Sequence, residues 1–507
     1  MCTSPTHSAM ASAQPTSYAT PEEIDMSAQA NRFLSEYSDA LLDGNGAVFV
    51  GAGVSMAAGY PSWASLLREI GEELGVGIKD VHDLAALAQW SIQHNGGATR
   101  IRNTIRTEIA VDHPIPESLE TIARLPIRHI WTTNYDRLIE RAFEAIARPL
   151  DAISSPGDLA LRARPGATRL YKMHGSITNI DEIVISTDDY ELFRSRRGAF
   201  LPLLQAHLTG MSMLFVGLSF TDPNVRHVLS LIRESFTDAP PEHFAIVRPP
   251  QLGDYPNREE FEARLAQHKL WAKDLRRYGL TAIEVETYEE IPQLMRAVER
   301  RVAMHRVWIS GSWPIQAGGD HAANLHSLAE TLGNIVGDSG LSLVTGTGLL
   351  VGSASISGFL SALRNTGAWD LERRLIARPF PQPLPGHSAS RQQWAALRSE
   401  LARQAGTVIF IGGAKEGPNG LEPADGVLEE FRLAKNAGAF LLPIGATGGA
   451  ARIISNDLLG SNLPSTGGNA ARPTDEELVR LADAQASLNE IGELAAQILR
   501  RASRANA

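Results

Sequence analysis

The sequence VFVGAGVSMAAGYPSW, residues 48–63, decides the fold of the first half of the chain. It opens with a short apolar run typical of a buried strand, and a Gly-Ala-Gly turn follows at once. Such a turn brings backbone N–H groups close to a phosphate, and the helix predicted over residues 64–73 adds partial positive charge nearby. Many strand-to-helix turns need glycine only for their backbone conformation. The segment alone is therefore compatible with a phosphate-binding loop and with a purely structural turn.

Apolar runs alternate with amphipathic stretches through the rest of this half. The clearest further strands are HIWTT at 129–133, MLFVG at 213–217 and FAIV at 244–247. Strands joined by helical crossovers pair in parallel, so this half is predicted to be a Rossmann-like α/β domain.

A second series of apolar runs begins at Val307, after a charged helical stretch near residues 289–301. It comprises RVWISGS, LSLVTGTG, RLIARPF, TVIFIGG and AFLLPIGA, with helical patterns between them at 325–336 and 392–404. These runs predict a second doubly wound α/β domain, whose ligands would bind at the carboxyl edge of its sheet. The amphipathic pattern over residues 474–501 predicts one or two helices that close this domain or form a surface for self-association, and we favour the first.

The length of 507 residues fits two domains better than one. We place them at residues 31–300 and 305–507, after a Ser/Thr/Ala/Pro-rich leader at residues 1–30 that we expect to be disordered. Hydrophobic residues make up 43% and charged residues 21% of the chain, a balance that allows a sizeable packed core.

The charge and cysteine content argue against several classes of protein. The net charge is -10 and no Lys/Arg-rich block occurs, so we expect no nucleic-acid partner. Cys2 is the only cysteine, so one chain can build neither a disulfide framework nor a Cys-based zinc site, and we expect no metal. The chain lacks both a run of about 18 apolar residues and a secretory-type leader, which predicts a soluble, cytoplasmic protein without membrane contact.

Three motifs follow the glycine turn in order, namely WTTNYD at 131–136, LYKMHGS at 170–176 and LFVGLSF at 214–220. Together with the GAG-x-S loop, they resemble the sirtuin superfamily of NAD-consuming enzymes over roughly residues 33–288. The resemblance implies that NAD is bound by Gly51, Ala52, Gly53, Ser55, Asp136, Gly217 and Ser219. It also implies a catalytic pair, Asn134 and His174.

The residue types suit cleavage of the nicotinamide–ribose bond, which passes through an oxocarbenium-like state. Asn134 could orient the ribose or an attacking water, and His174 could accept a proton. Each also has a plainer interpretation, a turn residue for Asn134 and a satisfied, partly buried histidine for His174. For Asp136 we favour a structural role, as a cap for the helix predicted in DRLIERAFEAI at residues 136–146.

Sirtuins that remove acyl groups from lysine also share a four-cysteine zinc module and a P-D-F-R segment. This sequence has neither, and the stretch corresponding to the latter reads GYPSW at 59–63. The difference favours transfer of the activated ribose to water, so NAD hydrolysis is the leading hypothesis. A NAD-dependent protein deacylase and a non-catalytic sensor of NAD or ADP-ribose are the alternatives. A pure sensor would not need the pair Asn134 and His174.

Glycine-rich turns also follow the strands of the second half, with ISGS at 309–312, VTGTGLLVGS at 344–353 and FIGGAKEG at 410–417. They resemble the SLOG family, Rossmann-like domains that bind nucleotides and nucleotide-derived signals. The resemblance implies signal contacts from Ser310, Gly311, Gly346, Thr347, Gly348, Arg398, Lys415 and Glu430. Glu429 is an adjacent candidate and Arg378 a fallback for Arg398. The turns could also be purely structural and the charges solvated.

The order of the two domains resembles the ThsA family, effectors of the bacterial anti-phage system called Thoeris. The resemblance implies a NADase that stays inactive until its second domain binds a cyclic ADP-ribose isomer made by a partner TIR-domain protein. It also implies a homotetramer built through the sirtuin-like halves. A phosphoribohydrolase activity of the second domain is a weaker alternative, because the P-G-G-x-G-T motif of such relatives is missing.

Overall fold

The computed structural model describes residues 28–77, 83–220, 222–235, 242–314, 319–368, 370–381, 390–418, 420–465 and 471–505. The predicted leader lies outside the described residues, except for its last three, with which the first helix begins. Two parallel sheets follow one another along the chain, each between layers of helices, and they confirm the predicted class of two Rossmann-like units.

The first sheet has seven parallel strands in the order β3-β4-β2-β1-β5-β6-β7. The strands are β1 (Gly46–Val50), β2 (His129–Thr132), β3 (Leu150–Ile153), β4 (Thr168–Lys172), β5 (Ser212–Val216), β6 (His243–Val247) and β7 (Leu280–Glu284). All four strands predicted in this half are present. Three strands were not predicted, namely β3, β4 and β7. Of these, β3 and β7 lie at the two edges of the sheet, where incomplete burial weakens the apolar pattern, and β4 lies inside it.

Fifteen helices of this half are described, and they cover both faces of the sheet. They are α1 (Ala28–Leu42), α2 (Ala52–Ala58), α3 (Trp63–Leu66), α4 (Arg68–Glu73), α5 (Leu84–His94), α6 (Thr99–Ile109), α7 (Glu117–Arg124), α8 (Leu138–Ala145), α9 (Pro156–Leu159), α10 (Thr187–Glu191), α11 (Phe193–Arg196), α12 (Phe200–Gly210), α13 (Pro223–Ser235), α14 (Arg258–Leu275) and α15 (Glu290–Met304).

Alternation along the strands divides the core of this half into two layers. On β1, Val48 and Val50 pack among residues of α1, α7 and α15, whereas Ala47 and Phe49 pack on the other face, against α12 and α13. Burial on both faces explains why the central strands read as continuous apolar runs.

The second sheet has five parallel strands in the order β10-β9-β8-β11-β14. Its strands are β8 (Arg306–Ser310), β9 (Ser342–Thr345), β10 (Leu375–Ala377), β11 (Thr407–Phe410) and β14 (Phe440–Pro443), and a separate antiparallel hairpin comprises β12 (Ala414–Gly417) and β13 (Gly420–Pro423). All five strands of the main sheet were predicted, but the hairpin was not.

The helices of this half are α16 (Asp320–Asp338), α17 (Val351–Thr366), α18 (Leu371–Arg374), α19 (Arg391–Gln404), α20 (Asp425–Asn436), α21 (Gly449–Leu458), α22 (Asp475–Leu481) and α23 (Leu488–Ala505). The last two confirm the closing pair of helices, since α23 packs on α16 in the core. Among the residues described, no helix has both the length and the apolar character needed to cross a bilayer.

Candidate active site

Three glycines join the carboxyl ends of β1 and β5, the point where the first sheet reverses its strand order. The N–H of Gly51 donates to Val216 (2.8 Å), and the N–H of Gly53 donates to Gly217 (2.9 Å). A Cβ on Gly51 would overlap the carbonyl of Gly217, which itself has a positive φ of 67°. Glycine is therefore required here by backbone packing, and these two N–H groups already have partners in the fold.

The turn after β1 is shorter than the sequence suggested. Helix α2 starts at Ala52, directly after Gly51, and leaves Ala52 and Gly53 exposed in its first turn. The single helix predicted over residues 64–73 was wrong, because the chain forms two short helices, α3 and α4, that meet at Leu67. The backbone of Leu67 has ψ near 0°, outside the α-helical region, and this divides them.

A chain of hydrogen bonds fixes the amide of Asn134 at the end of β2. The hydroxyl of Ser55 donates to Oδ2 of Asp136 (2.6 Å), and Nδ2 of Asn134 donates to Ser55 (2.8 Å) and to the carbonyl of Gly51 (3.0 Å). An ionised carboxylate only accepts hydrogen bonds, so the Ser55 proton must point to Asp136 and the Ser55 oxygen must accept from Asn134. The amide nitrogen is therefore held in the fold, and Oδ1 is an acceptor without a hydrogen-bond partner in the described part of the chain.

Asp136 supports the start of α8 without occupying its N-cap position, which is Arg137, and it has a second role besides. Its Oδ1 accepts from the N–H of Leu138 (2.9 Å) at the start of α8, while Oδ2 accepts from Ser55. The carboxylate is buried and uses both oxygens within the protein. Its link to the site runs through Ser55 and Asn134.

His174 lies at the end of β4 in a buried aromatic setting, with only 3% of its surface exposed. Tyr190 and Phe193 contact the imidazole edge-on, at ring-centre distances of 5.5 and 6.0 Å. Nε2 lies 3.3 Å from Oδ2 of Asp222. Burial lowers the pKa of His174, the carboxylate of Asp222 opposes this effect, and the charge of Arg197 adds to it. The net effect lowers the pKa, so the imidazole is neutral near pH 7.

The sequence analysis missed Asp222, a partly buried residue beside His174, and the buried Asn224. Asp222 starts helix α13 and accepts the hydroxyl of Tyr190 (3.2 Å), and Asn224 follows two residues later. The Asp-Pro pair at 222–223, a common helix start, was the signal that could have located Asp222. Of the remaining predicted residues, Gly217 packs against α2 and Ser219 is exposed next to it.

Three buried polar atoms at this edge have no hydrogen-bond partner among the described residues. They are Oδ1 of Asn134, Nε2 of His174 and Nδ2 of Asn224. These residues follow β2, β4 and β5, and together with β1 these strands are consecutive in the sheet. An unsatisfied buried polar atom costs about 1–3 kcal/mol, so this grouping is typical of a site that is completed by a ligand.

The second sheet brings three of its predicted signal residues together. Glu430 accepts the hydroxyl of Ser310 (2.6 Å) and lies 3.3 Å from Nε of Arg398. The guanidinium also lies over the rings of Phe380 (5.2 Å) and Trp394 (5.5 Å). Burial raises the pKa of Glu430, while the contacts to Ser310 and Arg398 partly offset that rise. The two aromatic residues were missed by the sequence analysis.

The other predicted signal residues surround this cluster or lie apart from it. A Cβ on Gly346 would overlap the Phe380 ring, a Cβ on Gly348 would overlap the carbonyl of Gly311, and Thr347 between them has a positive φ of 51°. Lys415, on β12, pairs instead with the exposed Asp425.

The two reserve candidates also have partners away from Ser310. Arg378 pairs with Glu400 at 2.9 Å, and Glu429 pairs with Arg432 at 3.0 Å. Among the described residues, no group of three His, Cys, Asp or Glu side chains is arranged to hold a metal ion.

Family profiles match both halves of the chain. The SIR2-like domain family matches residues 128–272, and the Sir2- and TIR-associating SLOG family matches residues 290–502. The protein is therefore a SIR2-like domain followed by a SLOG domain.

The chain belongs to the ThsA family of NAD(+) hydrolases. It is 34% identical to the NAD(+) hydrolase ThsA of Bacillus cereus, over 84% of this chain and 88% of that protein. The NAD(+) hydrolase ThsA of Acinetobacter baumannii is 31% identical, and that of Enterococcus faecium 32%, each over 83% of this chain and 88% of the relative. Defense-associated sirtuin 2 of Bacillus subtilis is 24% identical over 41% of this chain and 21% of its own length.

Proposed function

We propose that the protein hydrolyses NAD to ADP-ribose and nicotinamide at the site of Asn134 and His174, and that a cyclic ADP-ribose isomer bound to the second domain activates it. The observation that carries the first part is the group of buried polar atoms after β2, β4 and β5 that have no hydrogen-bond partner among the described residues. The relatives named NAD(+) hydrolase support the same activity. We assign catalysis to residues 31–300 and sensing to residues 305–507.

The reaction needs a nucleophilic water, a held ribose and a proton acceptor. The water oxygen bonds to C1′ of the ribose, the C1′–N bond breaks, and its electron pair leaves with neutral nicotinamide. Oδ1 of Asn134, fixed by Ser55 and Asp136, accepts a hydrogen bond from a ribose hydroxyl or from the water. His174, neutral near pH 7, takes the proton that the water loses and passes it to solvent.

NAD is proposed to extend from this point along the carboxyl edge of the sheet. The exposed first turn of α2, at Ala52 and Gly53, offers positive helix-dipole potential to its phosphates. Gly217 and the exposed Ser219, after β5, lie on the adenine side. No metal takes part in this mechanism.

In the second domain, the pyrophosphate of the signal is proposed to bind Arg398, and Glu430 and Ser310 to contact its ribose hydroxyls. Arg398 is suited to this role because a guanidinium binds phosphate oxygens in pairs. The turn of Gly346, Thr347 and Gly348 approaches the ligand through its backbone, alongside Gly311. Lys415 adds a second cation from the β12–β13 hairpin.

Activation follows if the signal binds the active arrangement more tightly than the resting one. We propose that the signal comes from a TIR-domain partner protein during phage infection, and that the resulting loss of NAD is the defence. The working form is proposed to be a homotetramer joined through the sirtuin-like halves.

The test is NAD consumption by the full-length protein, with and without each candidate cyclic ADP-ribose isomer. We expect nicotinamide release when an active isomer is present, without any peptide substrate. His174→Ala should lower the rate by about 100-fold or more, because it removes the proton acceptor. His94→Ala, an exposed histidine on α5, is the matched control and should leave the rate unchanged.

Two other results would replace this proposal. Nicotinamide release that depends on an acetylated peptide would indicate a deacylase. Binding of NAD without any cleavage, equal in wild type and His174→Ala, would indicate a sensor.

A further inference from the structure

Asp222 lies between the start of helix α13 and the imidazole of His174. Its Oδ1 accepts the N–H groups of Asn224 (2.9 Å) and Val225 (3.1 Å), so this oxygen caps the helix. Its Oδ2 points elsewhere, accepting the hydroxyl of Tyr190 (3.2 Å) and lying 3.3 Å from Nε2 of His174. Capping uses only the first oxygen, so the cap does not account for the placement of the second.

The position of Oδ2 decides which nitrogen of His174 carries the proton. A neutral imidazole has one N–H, and a carboxylate can only accept, so an adjacent carboxylate favours the proton on the nearer nitrogen. The nearer nitrogen is Nε2, which lies 3.3 Å from Oδ2 and makes no hydrogen bond to any described residue in this geometry, so Oδ2 is the acceptor beside a proton on it. Nδ1 is then left as the basic nitrogen.

We propose that Asp222 is a positioning residue for hydrolysis: it holds neutral His174 with the proton on Nε2 and stabilises the imidazolium that forms when Nδ1 takes a proton. This inference rests on the proposed function. The attacking water gives its proton to Nδ1 as its oxygen bonds to C1′ and nicotinamide leaves. The imidazolium keeps its Nε2–H on Asp222 until Nδ1 releases the proton to solvent.

The groups around His174 set the sign of the pH dependence. Asp222 from the start of α13, Tyr190 from α10 and Arg197 after α11 face or influence the ring, and of these the carboxylate favours the charged form. His174 acts as a base only when neutral, so its pKa sets the acid limb of the rate profile. Removal of the carboxylate lowers that pKa further and moves the acid limb to lower pH.

Asp222→Asn tests the charge without removing the cap, because Asn and Asp cap helices about equally well. In full-length protein with the activating isomer, kcat should fall about 10- to 100-fold while KM changes less than about threefold. The acid limb should move to lower pH. Glu191→Gln, which removes an exposed carboxylate on α10, is the matched control and should leave kcat unchanged. A kcat within about twofold of wild type, with an unmoved acid limb, would overturn the proposal.

A second measurement tests the proposal even if Asp222→Asn folds poorly or the wild-type protein has no NADase activity. In protein labelled with ¹⁵N-histidine, NMR shifts above the acid limb report which imidazole nitrogen is protonated, and His174→Gln identifies the signal. We expect Nε2–H in wild type, and Nδ1–H as the main form would refute the role of Asp222. An inactive wild type that still has Nε2–H would refute the proposed function alone.

Discussion

The two sheets reverse their strand order in the same way, beside β1 and β5 in the first and beside β8 and β11 in the second. In each, the glycine that ends the first strand packs on the backbone of the facing strand, Gly51 near Gly217 and Gly311 near Ile411. Even the neighbouring turns agree: a threonine hydroxyl accepts the N–H two residues later at 3.0 Å, at Asn134 and again at Thr347. We call the two places where these strands end the first and the second crevice. Their backbones are thus alike.

The side chains at the two crevices differ. At the first, Oδ1 of Asn134 and Nδ2 of Asn224 are buried without a hydrogen-bond partner among the described residues, and Nε2 of His174 faces Asp222 at 3.3 Å. At the second, Arg398 and Glu430 pair with each other and Ser310 completes the cluster. The first crevice therefore has polar atoms that a ligand can bind, whereas the polar groups of the second crevice bind one another. The proposed signal would therefore have to displace these protein contacts, which would limit binding to ligands that compete with them.

The largest expected effect is at Asn134. Asn134→Ala removes the amide that Ser55 and Asp136 hold in place. Because this amide is proposed to orient the ribose or the water, kcat should fall by about 100- to 10,000-fold. Nicotinamide release with saturating NAD measures it. Asn365→Ala, an exposed residue on α17, is the control. A rate close to wild type would remove the distinction between the two crevices, since the free amide oxygen would then have no function.

The second effect is the loss of activation in Arg398→Ala. The variant removes the guanidinium held by Glu430, Phe380 and Trp394, so the isomer concentration for half-maximal activation should rise by about 100-fold or more. Arg378→Ala, which removes an exposed arginine paired with Glu400, should shift it less than about threefold. If Arg378→Ala had the larger effect, the signal would bind outside the Arg398 cluster.

Except for β4, whose sequence TRLYK is not an apolar run, the central strands at both crevices were predictable, because central parallel strands are continuous apolar runs and their turns need small residues. The contacts between side chains at these sites could be predicted less well. The sequence left Glu429 and Glu430 as alternatives, yet Val427, Phe431 and Ala434 form the buried face of α20, and helical spacing places Glu430 on that face. That choice was available from the periodicity.

Asp222 was harder to predict, because its contact with His174 joins residues 48 positions apart and depends on how α13 leaves β5. Phe380 belongs to the same class, since it reaches Arg398 from the segment after β10, whereas Trp394 lies four residues before Arg398 on α19 and follows from helical spacing. Contacts between side chains from different loops follow from the exact path of the backbone, which local propensity does not determine.

The smallest expected effect is at Ser55, and it tests whether orientation of the amide matters beyond its presence. Ser55→Ala breaks the link between Asn134 and Asp136, but Asn134 keeps its bond to the carbonyl of Gly51. One hydrogen bond to a charged group contributes about 1.5–3 kcal/mol, and part of it survives here, so kcat should fall about tenfold with little change in KM. Ser230→Ala, which removes an exposed hydroxyl on α13, is the matched control. A loss as large as that of Asn134→Ala would mean that the amide works only in its fixed orientation, whereas an unchanged kcat would mean that Gly51 alone suffices to hold it.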